Sequence, residues 1–189
     1  MRDVVVIGAG LSGLSAAVRL LKAGREVDLI TKGIGGIQLG QGTIDLYGYD
    51  PERVNNPLEA IEKLPESHPY RKLGSQTVAD AANWLKEQLG TELLAGNPDK
   101  NVFLPTCLGA WRPTCLPQPS MLAGAPEDGK KYVIVGLRRL KDFYPQLVAE
   151  NLEKEEIPGG GKVSARHIWI DIPVPVSYTH LTLPTTPYV

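Results

Sequence analysis

Cysteine, phenylalanine and long apolar runs are all scarce in this 189-residue chain, which has two Cys and two Phe. Cys107 and Cys115 stand in a proline-rich stretch without the C-x-x-C spacing that zinc or iron–sulfur ligation favours. No metal site is expected, and both thiols are read as free. No stretch approaches the roughly eighteen apolar residues of a membrane span. The apolar run Val4-Val5-Val6-Ile7, directly after Met1-Arg2-Asp3, is too short for the central region of a secretory signal and has no small-residue cleavage site after it. A cytoplasmic location is expected. An excess of one charge is missing too: 20 basic against 21 acidic residues leave a formal −1, so nothing in the bulk charge draws the chain to nucleic acid or to an anionic membrane. What is present is ordinary globular material, 42% hydrophobic and 22% charged, in a length that can bury a core.

The chain opens with an α/β rhythm. Residues 3–8 are predicted as a parallel strand covered on both faces, because four consecutive β-branched residues show no polar alternation. Residues 11–23 carry Leu14, Ala17, Val18, Leu20 and Leu21 at helical spacing, with Gly24 placed to close the helix; residues 26–31 make a second strand. Residues 33–50 are glycine-rich and read as a loop that approaches a ligand, the alternative being a flexible surface connection. A short helix is predicted over 57–64, and a longer one over 75–89 with Ser75 as cap, Val78, Ala82, Leu85 and Leu89 on one face, and Gly90 as stop. Residues 97–129 hold six prolines and are expected to form a loop-rich or short β excursion. The rhythm then resumes with a buried strand at 132–136, a helix at 142–155 turning Leu147, Val148 and Leu152 inward, and a strand at 167–172.

The feature that carries chemistry is Gly8-Ala9-Gly10-Leu11-Ser12-Gly13, a G-x-G-x-x-G between a predicted strand and a predicted helix. Its first glycine permits the tight turn, the second lets backbone approach a pyrophosphate, and the third lets the helix pack close to the strand. The helix N-terminus offers unpaired N–H groups and partial positive charge to phosphate. The fold class that follows is α/β, a Rossmann-like FAD/NAD(P)-binding fold with a parallel sheet. The acidic side chain that usually receives the ribose hydroxyls at the end of the second strand is absent. Thr31-Lys32 stands there, offering a hydroxyl and a cation, while Asp28 falls in mid-strand and would point away from the ribose.

In these residues and in blocks beyond them the chain resembles the family of B-type subunits of anaerobic glycerol-3-phosphate dehydrogenases. The resemblance runs over residues 4–14, Ile30-Thr31-Lys32-Gly33, Gly42-Thr43-Ile44-Asp45-Leu46 and His68-Pro69-Tyr70. It continues through Leu108-Gly109 and Lys131-Tyr132-Val133-Ile134-Val135-Gly136-Leu137 into Leu140-Lys141-Asp142-Phe143. It covers less than half of a full-length member. It implies a flavoprotein subunit with FMN or FAD that pairs with an FAD-containing catalytic subunit to oxidise sn-glycerol 3-phosphate to dihydroxyacetone phosphate. Electrons would pass to quinone through an iron–sulfur, membrane-anchoring subunit, with only peripheral attachment to the membrane. The rival readings are another FAD-dependent oxidoreductase of the same superfamily, or a non-catalytic electron-relay and assembly subunit.

The expected cofactor-binding residues are therefore Gly8, Ala9, Gly10, Leu11, Ser12, Gly13, Thr31 and Lys32. Gly42 and Thr43 join them because related flavoproteins bring this stretch close to the flavin. Thr43 and Asp45 can equally cap a helix or stabilise a turn by local hydrogen bonds. No catalytic residue is assigned. His68 suits proton transfer or a structural role. Arg112 could grip a substrate phosphate or stack on Trp111. Arg138 and Arg139 are read as opening a helix. The expected organisation is a βαβ start over 1–50, an inserted helical and loop-rich region over 51–129, a return to α/β over 130–175, and a foreign tail over 176–189. Residues 172–189 contain no Asp, Glu, Lys or Arg, and from Val176 on they resemble translated sequencing-adapter sequence, so the natural protein is expected to continue differently.

Overall fold

The structure, a computed structural model, describes residues 2–172. The expected foreign tail lies outside the described residues. Strands Val4–Ile7 (β1) and Val27–Ile30 (β2) pair in parallel, from Val4 opposite Val27 to Ile7 opposite Ile30. The helix Leu11–Lys22 (α1) makes the crossover that a parallel pair requires. It ends where predicted: Gly24 takes φ +74°, and the Gly24 and Arg25 amides close back on the carbonyls of Leu21 and Leu20, each at 3.0 Å.

β1 departs from the expectation of burial on both faces. Its side chains alternate between half-buried and exposed, and Ile7 is 83% exposed. The β-branched run does select a parallel strand, but α1 covers one face of the pair and leaves Val5 and Ile7 in solvent.

After a 3-10 turn at Gly35–Leu39, two very short antiparallel strands, Tyr49–Asp50 (β3) and Glu52–Arg53 (β4), lead into three helices. These are Pro57–Glu62 (α2), Pro69–Leu73 (α3) and Ser75–Leu89 (α4). Asn56 caps α2, its side-chain oxygen accepting from the amides of Leu58 at 3.1 Å and Glu59 at 3.3 Å. His68 caps α3 through Nδ1, which accepts from the Tyr70 amide at 3.1 Å, so this histidine has a structural task. Ser75 does not cap α4. Gly74 with φ +81° occupies the cap position, and Ser75 begins the first turn. The Ser75 hydroxyl instead bonds the Glu62 carboxylate and, with Arg71, holds it below the usual carboxylate range. α4 stops at Gly90, as the sequence predicts.

The proline-rich stretch does form a short β excursion: Val102–Pro105 (β5) and Trp111–Thr114 (β6) pair as a hairpin, followed by the short helix Pro119–Leu122 (α5). A second parallel pair, Lys131–Leu137 (β7) and Ser164–Ile170 (β8), is joined by the helix Pro145–Lys154 (α6). Arg138 and Arg139 do not open that helix. They lie in a turn where Arg138 Nε reaches Asp171 Oδ2 at 3.2 Å, and the helix waits for Pro145, whose fixed φ suits a first helical position. Val148 and Leu152 are buried as expected, but Leu147 faces solvent, one residue out of the inward stripe. β7 alternates like β1 and exposes Val133 and Val135.

Two apolar clusters hold this together. One gathers Trp111, Val148, Leu152, Ile157 and Val163 where α6 and the β7–β8 pair meet the β5–β6 hairpin. The other packs Ala82 of α4 with Leu94, Cys115 and Leu116, and with Ile44 and Leu46 of the glycine-rich loop. Fully burying one such Leu or Ile side chain contributes about 1.5–3 kcal/mol. The second cluster fixes the loop beside α4, and so positions the site.

Candidate functional site

The carboxyl end of β1 runs directly into the glycine turn. Gly8 adopts φ +105°, which a side chain would oppose, and its amide bonds the Ile30 carbonyl at 2.8 Å, tying the turn to the end of β2. A Cβ at Gly13 would overlap the Gly8 carbonyl oxygen, so the third glycine allows the close approach of α1 to the turn. At Gly10 the same construction meets nothing within 4 Å. Gly10 is the N-cap of α1 and offers no side chain to its first amides; no acidic residue stands in the first turn, whereas Arg19 and Lys22 stand in the last. That distribution leaves the positive end of the helix open to an anion.

Gly10 and Leu11 open onto a cavity of about 660 Å³ between α1, α4 and the glycine-rich loop. Gly42 and Thr43 line it from the loop, Trp84 and Leu85 from α4. Arg19 lies over the Trp84 ring at 5.3 Å, and Lys22 bonds Gln88, so the cationic end of α1 is braced on α4. The walls are mainly apolar, with the open helix end and the side chains of Ser15, Thr43, Gln88 and Gln118 as polar points, as a cavity for a large planar cofactor with a phosphate arm requires.

Of the sequence-predicted residues, the structure brings Gly10, Leu11, Gly42 and Thr43 to this cavity, while Gly8 and Gly13 shape the turn behind it. Ala9 of the turn and Ser12 of the first turn of α1 are absent from the cavity wall, as are Thr31 and Lys32. The Thr31 hydroxyl is engaged with its neighbour, donating to the Gly33 carbonyl and accepting from the Gly33 amide. Asp28 points where its mid-strand position predicts, receiving Arg2 Nε at 2.9 Å.

The local Thr43–Asp45 bond is the one expected from the sequence, but the long-range contacts that hold the loop have no signal there. Ile44 pairs with Leu116 as an antiparallel bridge, amide to carbonyl at 3.0 and 3.1 Å. Cys115 Sγ donates to the Ile44 carbonyl at 3.1 Å. Thr43 Oγ1 bonds Asp45 Oδ1 at 3.1 Å, Arg112 Nη2 reaches Thr43 Oγ1 at 3.1 Å, and Arg112 Nη1 pairs with Asp45 Oδ2. Arg112 is thus engaged with the loop, not stacked on Trp111, which is buried in the first cluster. The three side chains form a closed ring, and Thr43 and Asp45 start no helix. Burial pushes the Cys115 thiol up to about 11, with the Asp45 charge adding to the rise. Both cysteines are free, Cys107 exposed and Cys115 buried. Among the described residues no group of three or more His, Cys, Asp or Glu is arranged to hold a metal ion, and no helix is long and apolar enough to cross a membrane.

A glycine turn between a parallel strand and an uncapped helix, opening on a mainly apolar cavity, defines a dinucleotide-binding α/β protein of the Rossmann-like class. The chain belongs to the FAD binding domain family, whose match spans residues 3–175; the cofactor class is accordingly a flavin. The chain is also similar to the B-type subunit of the anaerobic glycerol-3-phosphate dehydrogenase of Aliivibrio fischeri, 33% identical over 165 residues, 80% of this chain and 36% of that protein. The corresponding subunit of Yersinia enterocolitica is 33% identical over 168 residues, covering 82% and 39%. That of Pasteurella multocida is 35% identical over 161 residues, covering 79% and 37%. The chain therefore spans little more than a third of the length of these relatives. No solved structure matches it.

Proposed function

We propose that this chain is part of a flavoprotein subunit that oxidises sn-glycerol 3-phosphate to dihydroxyacetone phosphate. It acts together with an FAD-containing catalytic subunit, and the electrons pass to a quinone through an iron–sulfur, membrane-anchoring subunit of the same complex. The observation that carries the reading is the glycine turn feeding a cavity large enough for a flavin, in a chain similar along most of its length to subunits of dehydrogenases bearing that name. The flavin, FMN or FAD, would supply the acceptor for the two electrons removed from the substrate carbinol.

The protein's own part is binding. Gly8 through Gly13 present the backbone to phosphate, with Gly10 and Leu11 closest to the ligand and Gly8 and Gly13 setting the turn. Gly42 and Thr43 close the far side of the cofactor. Thr31 and Lys32 stand at the end of β2, where a ribose or a further phosphate would pass. The same reading divides the chain into the βαβ start over 1–50, the inserted region over 51–129 and the returning α/β segment over 130–175.

The test uses the full-length protein. Anaerobic glycerol 3-phosphate is expected to bleach its flavin absorbance, whereas succinate and amines leave it unchanged; bleaching by succinate alone would defeat the proposal. Gly10→Leu should strip most of the flavin from the purified protein, since the side chain would fill the open approach to the helix end. Undiminished flavin content in that variant would overturn the phosphate assignment.

A further inference from the structure

A second cavity, of about 460 Å³, is lined by residues of the glycine-rich loop, the β5–β6 hairpin and α5. Gln41, Thr106, Cys107, Arg112 and Ser120 line it over a floor that includes Leu104. Gln41 immediately precedes Gly42 and Thr43, which line the first cavity.

We infer that this second cavity is a substrate subsite for a small organic phosphate monoester, with Arg112 as its anchoring cation; the inference rests on the oxidoreductase reading above. Among the described residues, Arg112 is the one charged side chain in the wall. Its carboxylate partner Asp45 is not part of that wall. Two of the guanidinium nitrogens are committed, Nη1 to Asp45 and Nη2 to Thr43. Nε and the remaining N–H of each Nη are left for a phosphate oxygen. The Arg112 side chain is 24% exposed, so its charge is only partly screened by water. Gln41 and Ser120 add neutral polar groups that can bond the hydroxyls of a short polyol, and Leu104 with Met121 offers apolar surface to its carbon chain. The ring of Arg112, Thr43 and Asp45 makes the cation at this subsite and the hydroxyl at the cofactor cavity parts of one unit.

Cys107 supplies a readout that needs neither flavin nor turnover, because it is exposed and lines the cavity. In phosphate-free buffer, glycerol 3-phosphate is expected to slow alkylation of Cys107 by a neutral reagent in a saturable way. Glycerol should give no protection, and inorganic phosphate weaker protection than the monoester. Arg112→Met should raise the half-protecting concentration by about tenfold or more. As that change also opens the ring, Ser120→Ala, which leaves the ring intact, should raise it more modestly. Equal protection by glycerol and glycerol 3-phosphate, or no protection at all, overturns the subsite. So does protection that survives in Arg112→Met. Protection of Cys107 in a full-length protein whose flavin glycerol 3-phosphate does not reduce would sink the proposed reaction and leave the subsite standing.

Discussion

Asn101 is the buried polar residue on which the middle of the chain turns. It is 5% exposed, and its side-chain nitrogen donates to the carbonyls of Tyr47 at 2.9 Å and Val54 at 2.8 Å, while its amide donates to the Asn55 carbonyl at 2.7 Å. Asn101→Leu would take the donor from the Tyr47 and Val54 carbonyls, and is expected to cost about 1–3 kcal/mol in a urea melt; an unchanged midpoint would show that water can replace the amide. The thiols divide just as sharply. With its pKa pushed up to about 11, Cys115 stays protonated and covered. At pH 8 one of the two cysteines should therefore react with a maleimide in the folded chain, and both in denaturant, by mass. The sign of the linkage follows: protonation of Cys115 stabilises the fold fully below pH 9 and is lost as pH rises toward 11. Neither residue is legible in the sequence. An asparagine among prolines looks like loop material, and nothing local in a sequence says which of two cysteines will face a core.

Helices and strands are more legible than their ends. The periodicities of α1 and α4 and the glycines that stop them are local features, and local features survive folding. Starts are less secure where two signals compete. Ser75 is a good cap residue by type, but Gly74 can take the positive φ that the turn from α3 demands, and the cap falls one residue earlier. At α6 the charged run before Pro145 has a helical composition, yet proline disfavours helical backbone in the residue before it. α2 offers the clean test at this scale. Asn56 caps it with two bonds, and Asn56→Ala should lower stability by about 1 kcal/mol, measured by denaturant midpoint, whereas Asn56→Ser should keep most of it.

Across the molecule, the class of fold is legible in the sequence because the glycine turn, its strand and its helix are contiguous. How the rest surrounds them is not, since that depends on contacts far apart in the chain. The two parallel pairs, β1–β2 and β7–β8, stand as separate two-stranded sheets among the described residues, each with β-branched side chains on an open face. Exposed apolar area of this kind seeks cover. The 189-residue chain is expected to enhance the fluorescence of a hydrophobic dye and to lose flavin on desalting, because Ile7, next to the glycine turn, is open to water. One equivalent of flavin retained through a desalting column would contradict this.

The Ile44–Leu116 bridge means that the excursion between the two βαβ units is no detachable ornament. A shortened variant lacking the hairpin would set the Ile44 carbonyl and amide adrift, remove the guanidinium from Thr43, and uncover Leu46 in the same stroke. Any redesign that trims the excursion therefore also loosens the wall of the cavity beside α1, and the two have to be engineered together.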